Sequence, residues 1–210
     1  AYNWKIVVEG VAGHGSMPDS CVDPITAAAH IHIGLQEILA REISPMSELV
    51  ITCGAFNAGD AGNAIPQSAT MQGTIRVFDK KTEELAKKRI TEIASGIAQT
   101  YRCTATTTFG RPSPAVFNDK EFMEQCVEYT KQTLPQAQLY GGAHGMGSED
   151  FGSISQACTA NYMMIGAAAG PLNECYGQHN PHVRFDENAL PMSCALYASV
   201  AMNWLDDNAK

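Results

Sequence analysis

At 210 residues, 45% of them hydrophobic, the chain has material for a sizeable core in one large domain or two small ones. Its 14 basic and 22 acidic residues give a net charge of −8, and the one basic cluster, Lys87-Lys88-Arg89, falls on a predicted helix, which argues against nucleic acid and anionic membranes as main partners. Seven cysteines without a CxxC pair fit reduced thiols in the cytoplasm better than a disulfide framework, and no segment has the apolar length to span a bilayer.

The first residues already read as structure. Trp4, Ile6 and Val8 alternate with Lys5, Val7 and Glu9 as a half-buried strand, so the start reads as a strand rather than a signal peptide; the missing initiator methionine suggests an excised piece of a longer protein, although a trimmed leader would look the same. The loop Gly13-His14-Gly15-Ser16-Met17-Pro18 follows. Asp23 then supplies an N-cap and Pro24 a first helical residue, with Ala27, Ile31, Leu35 and Ile38 at helical spacing. Leu49, Ile51 and Cys53 predict a second strand, and Ala69, Met71, Gly73, Ile75 and Val77, alternating with Thr70, Gln72, Thr74 and Arg76, a third. A helix is expected from about Thr82 to Tyr101, with Ala86, Ile90, Ile93 and Ile97 on one face, and a fourth strand at Cys103, Ala105, Thr107 and Phe109. The order βαββαβ is that of a ferredoxin-like α+β sandwich, with helices on one face of an antiparallel sheet.

Gly110-Arg111-Pro112-Ser113-Pro114 breaks regular structure and marks a boundary, giving expected domains at 1–112 and 113–210. Beyond it come a helix near Glu121 to Leu134, a glycine-rich stretch from Gly141 to Gly147, an apolar strand from Tyr162 to Ile165 and a closing helix from about Glu187 to Leu205. With few strands for its helices to cover, the second half looks like part of an α/β layer whose partners are absent.

Several positions have chemistry to offer. His14 lies on a glycine-flanked loop, where an imidazole can donate a hydrogen bond to a developing oxyanion, although a loop histidine is more often simply solvated. Arg76 and the loop Gly59–Pro66 both lie near enough to face one site, in which the guanidinium and the Asn63 amide would suit the carboxylate end of an amino acid; the plainer reading is a solvated strand residue and a turn residue. His179, before Asn180-Pro181, could bind a metal as a neutral imidazole, but His182 and Cys175 do not complete a ligand set. His144 and the run Gly147-Ser148-Glu149-Asp150-Phe151 add an imidazole and carboxylates, the acids reading most simply as a helix start. There is no GxGxxG, GxxxxGK, HExxH or GxSxG.

Four blocks in order, GHGSMP with VDPI, GNAIP leading to GTIR, GSEDF, and HNP followed by FDENAL, resemble the metal-dependent amidohydrolases that include aminoacylases, hippurate hydrolases and auxin-conjugate hydrolases. The resemblance spans essentially the whole chain. It implies a ferredoxin-like lid, often a dimerisation domain, inserted in an α/β metallopeptidase catalytic domain with two divalent metal ions (Zn, Mn, Co or Ni). Residues 1–112 would be the lid and 113–210 the C-terminal part of the catalytic domain. By similarity His14 polarises the scissile carbonyl, often across a dimer, Asn63 and Arg76 hold the substrate's carboxylate, and His179 is the last metal ligand. The family's upstream HxCGHD-like segment and catalytic glutamate pair are absent, since the only adjacent glutamates, Glu83-Glu84, head a lid helix; Asp19 stands where many relatives have a second histidine.

The expected function is therefore metal-dependent hydrolysis of N-acyl or N-aroyl amino acids by a homodimeric cytoplasmic enzyme, with this 210-residue piece inactive alone and without a complete binuclear metal centre. The alternatives are a non-catalytic dimerisation or small-molecule-binding module, and a ferredoxin-like regulatory domain joined to an unrelated helical tail.

Overall fold

A computed structural model describes residues 1–142 and 145–209. Chain order runs β1 (Tyr2–Glu9), β2 (Gly13–His14), α1 (Pro24–Gly34), β3 (Leu49–Ala58), β4 (Ala64–Ile65), β5 (Ser68–Val77), α2 (Lys80–Thr100), β6 (Thr104–Phe109), α3 (Lys120–Thr133), α4 (Phe151–Ala157) and α5 (Ala189–Asn208). Four strands form an antiparallel sheet in the order β3-β5-β1-β6. Counted among themselves as strands one to four, that order is 2-3-1-4, the ferredoxin-like arrangement expected from βαββαβ.

Alternation along the strands decides which face is covered. Trp4, Ile6, Val8, Met71, Ile75 and Val77 are buried with Ala27, Ala28, Ile31 and Leu35 of the α1 region and Ala86, Ile90, Ala94 and Ala98 of α2. Thr70, Gln72, Thr74 and Arg76, with Asn3, Lys5 and Thr104, Thr106 and Thr108 of β6, line the other face by the period of two. The buried stripe of α2 runs Thr82, Ala86, Ile90, Ala94 and Ala98. Ile93 and Ile97, expected on that stripe, flank it and close over Gly34 of α1, where a Cβ would meet the Ile97 side chain at 2.6 Å.

One close approach fixes the middle of the sheet. A Cβ on Gly73 would lie 1.8 Å from the Thr52 carbonyl oxygen and 2.5 Å from the Trp4 ring, so only glycine lets the indole lie against β5. Asp23 caps α1 as expected, its Oδ1 accepting from the Ile25 N–H at 2.8 Å ahead of Pro24. That helix stops at Gly34, short of Ile38, and the chain continues into a π-helical turn, Ile38–Glu42. Arg89 of α2 holds this turn through Nε and Nη2 on the two Glu42 carboxylate oxygens, at 2.5 and 2.8 Å, which keeps the Glu42 carboxyl below its usual range.

The chain divides into two compact units, Ala1–Ala115 with Met146–Glu149, and Val116–Gly145 with Asp150–Lys210. In the second, α3 packs on α5: Tyr129 donates to Asp207 at 2.5 Å, Thr133 and Ser199 share a hydroxyl hydrogen bond, and Phe122 meets Trp204 edge-on. The strand expected at Tyr162–Ile165 is a correction, because these residues form no ladder. The side chain of Asn118 takes the place of a neighbouring strand, donating to the Tyr162 carbonyl at 3.0 Å and accepting from its N–H at 2.8 Å. Much of this unit's apolar surface is uncovered, including Met164, Leu172, Leu190, Tyr197 and Leu205.

Candidate functional site

β2 leaves the end of β1 and pairs with β4, His14 opposite Ala64 and Gly13 opposite Ile65. The Gly15 N–H donates to the Asn63 carbonyl at 2.9 Å. A Cβ on Gly15 would come within 2.9 Å of that oxygen, so the glycine after His14 is what lets the two loops close on each other. The turn beyond is tied by Met17 N–H to the His14 carbonyl at 2.9 Å, and the exposed His14 ring is fixed by its own chain: Nδ1 accepts the Ser16 N–H at 3.2 Å and lies 2.8 Å from Ser16 Oγ.

Gln67, which nothing in the sequence singled out, stitches the same corner together. Its Nε2 donates to the Gly10 carbonyl at 2.8 Å, its Oε1 accepts from Ala12 N–H at 3.3 Å, and its own carbonyl accepts from Gly10 N–H at 2.9 Å. Three hydrogen bonds thus join the segment before His14 to the segment after Asn63. A cleft of about 590 Å³ opens beside them, lined by Phe56, Asn57, Asp60, Pro66, Gln67 and Thr70.

Arg76 is elsewhere. It pairs with Val50 near the C-terminal end of β5, eight residues beyond Ser68, or about 26 Å at the rise of a strand. The nearness expected of Arg76 and the Asn63 loop does not hold within the chain, because strand length puts them at opposite ends of the sheet. Arg76 Nη1 donates to the Met146 carbonyl at 2.6 Å and to Ser148 Oγ at 3.2 Å, gathering the segment before Glu149-Asp150 onto the first unit.

In the second unit His179 is exposed and has a positive φ of 67°, a left-handed conformation that costs energy in a non-glycine residue and here closes a turn from Gly177 to Asn180. The His182 ring meets that of Tyr176 at a tilt of 48°, 5.4 Å between centroids. His144 lies outside the described residues. Among the described residues no three His, Cys, Asp or Glu side chains are grouped to hold a metal ion. The seven cysteines are free, and no helix among the described residues is long and apolar enough to cross a membrane.

Comparison with known proteins agrees with this architecture. Residues 1–102 match the model of a peptidase dimerisation domain, and over 98% of its length the chain is 26% identical, with a TM-score of 0.76, to half of a Bacillus subtilis protein described as a dinuclear metal binding peptidase from the M20 family. The first half of the chain is thus similar to the M20 peptidase dimerisation domain. It is 32% identical over 98% of its length to 47% of IAA-amino acid hydrolase ILR1-like 2 from Arabidopsis thaliana, and 31% identical over 97% of its length to 52% of a hippurate hydrolase from Campylobacter jejuni. The chain therefore spans about half the length of the curated relatives it matches.

Proposed function

We propose that this chain is the lid and C-terminal catalytic portion of an M20 amidohydrolase that cleaves the amide bond of N-acyl or N-aroyl amino acids, and that its lid works as a homodimer. The observation that carries the reading is the two-ended lid: His14 is clamped to the Asn63 loop at one end of the sheet, and Arg76 is seated on Met146 and Ser148 at the other. Family resemblance gives all three residues to one substrate site. Two ends of one rigid sheet do not converge, so the site takes His14 and Asn63 from one copy and Arg76 from the other.

In that site His14 donates a hydrogen bond to the oxygen of the scissile carbonyl as negative charge develops on it, an interaction stronger in the transition state than in the ground state. Asn63 offers an amide donor beside it. Both N–H groups of Arg76 Nη1 face Met146 and Ser148, so a substrate carboxylate is taken bidentately by the other fork, Nε and Nη2. His179 is assigned as one metal ligand; the remaining ligands and the general base belong to residues outside this chain.

The pairing surface is assigned to the free edge of β3 with the adjoining face of α1, where Ile33 is 66% and Phe56 40% exposed. The exposed apolar side chains of the second unit fit a layer completed by the rest of a longer protein. Seven unpaired cysteines fit a cytoplasmic location.

The direct test is His14→Gln in the complete enzyme. Loss of an oxyanion donor lowers kcat by about 10²–10³-fold with KM little changed. Unchanged turnover would instead support a dimerisation module without a catalytic histidine.

A further inference from the structure

Ser16 is the residue of the His14 loop that the mechanism above leaves without a part, although it makes both hydrogen bonds that the His14 ring receives. Its main-chain N–H points at Nδ1 from 3.2 Å, and its hydroxyl oxygen is 2.8 Å from the same nitrogen. A backbone amide can only donate, so in this geometry Nδ1 offers its lone pair and carries no hydrogen. The hydroxyl, directed at that lone pair, donates as well. With Nδ1 occupied as an acceptor, the proton of the neutral imidazole sits on Nε2, the nitrogen at the far side of the ring from Ser16.

We propose that Ser16 is a positioning residue that sets the tautomer and the ring orientation of His14, so that Nε2–H of a neutral imidazole is the donor aimed out of the loop. The loop has the rigidity this needs, because Gly15 is tied to Asn63 and Met17 to the His14 carbonyl. A neutral Nε2–H donor stabilises an oxyanion without giving up its proton, so His14 acts as an electrophile and not as a general acid. The consequence for catalysis rests on the function proposed above; the tautomer itself does not.

The ring nitrogens of His14 report it directly in the 210-residue chain. Long-range ¹H–¹⁵N correlation spectra are recorded at about pH 9, where an ordinary imidazole is neutral, with the His14 signals assigned by their loss in His14→Gln. Expected are an unprotonated Nδ1 and a protonated Nε2 in the unsubstituted chain, movement of both nitrogens toward their averaged positions in Ser16→Ala, and restoration in Ser16→Thr. A protonated Nδ1, equal averaging in the unsubstituted chain, or a Ser16→Ala spectrum identical to it overturns the proposal. In the complete enzyme Ser16→Ala lowers kcat roughly tenfold at unchanged KM and Ser16→Thr recovers it; full activity in Ser16→Ala overturns the positioning role. A locked tautomer in an enzyme that tolerates His14→Gln leaves the tautomer assignment standing and removes the functional reading instead.

Discussion

At Arg76 a single nitrogen serves two acceptors, the Met146 carbonyl and the Ser148 hydroxyl, and the planar guanidinium thereby keeps its second fork in a fixed direction. Lysine has no such geometry, since one ammonium cannot hold both acceptors and still present a bidentate face. Arg76→Lys in the complete enzyme is therefore expected to raise KM about tenfold while lowering kcat less, and hydrogen exchange should quicken at residues 146–148; an unchanged KM would detach Arg76 from substrate binding. Gly73 is a purely structural counterpart. Its missing Cβ makes room for the Trp4 ring and the Thr52 carbonyl, so Gly73→Ala is expected to cost about 3 kcal/mol in a urea titration, whereas a cost under about 1 kcal/mol would mean that β5 yields easily.

Most of the elements of the first unit were legible because period and punctuation agree there: Trp4-Ile6-Val8 and Ala69-to-Val77 alternate, and Asp23-Pro24 announces a helix. The two-residue strands β2 and β4 were not, because Gly13-His14 and Ala64-Ile65 are too short to carry a period and are held by the main-chain bonds of Gly15 and the side chain of Gln67. The strand expected at Tyr162–Ile165 is absent for the opposite reason: the run is apolar, but among the described residues it joins no ladder and its main chain is bonded by the Asn118 side chain. The contact of α3 with α5 carries its own pH signature. The hydrogen bond from Tyr129 to Asp207 pushes the tyrosine pKa up to about 12. A raised folded-state pKa contributes stability that is complete below the unfolded value near 10 and lost as pH rises through about 12. The second unit should loosen across that window, by circular dichroism of its helices, and Tyr129→Phe should remove that step; an identical alkaline transition in the variant would assign it to other groups.

On the scale of the whole molecule, what the sequence could not reveal is distance. His14, Asn63 and Arg76 stand out in the sequence as polar groups, but only the length of β5 shows that Arg76 stands about 26 Å from the corner where the other two meet. Under the function proposed above, that separation makes dimerisation a condition of the site. Complementation between two inactive variants of the complete enzyme examines this most directly. His14→Gln and Arg76→Ala are each prepared as homodimers, then mixed and allowed to exchange subunits. If His14 and Arg76 of each site come from different copies, every heterodimer concentrates both defects in one site and leaves the other intact, and random exchange returns about a quarter of the unsubstituted activity. If both residues serve the site of their own copy, each site keeps one defect, and the mixture stays as inactive as its parents.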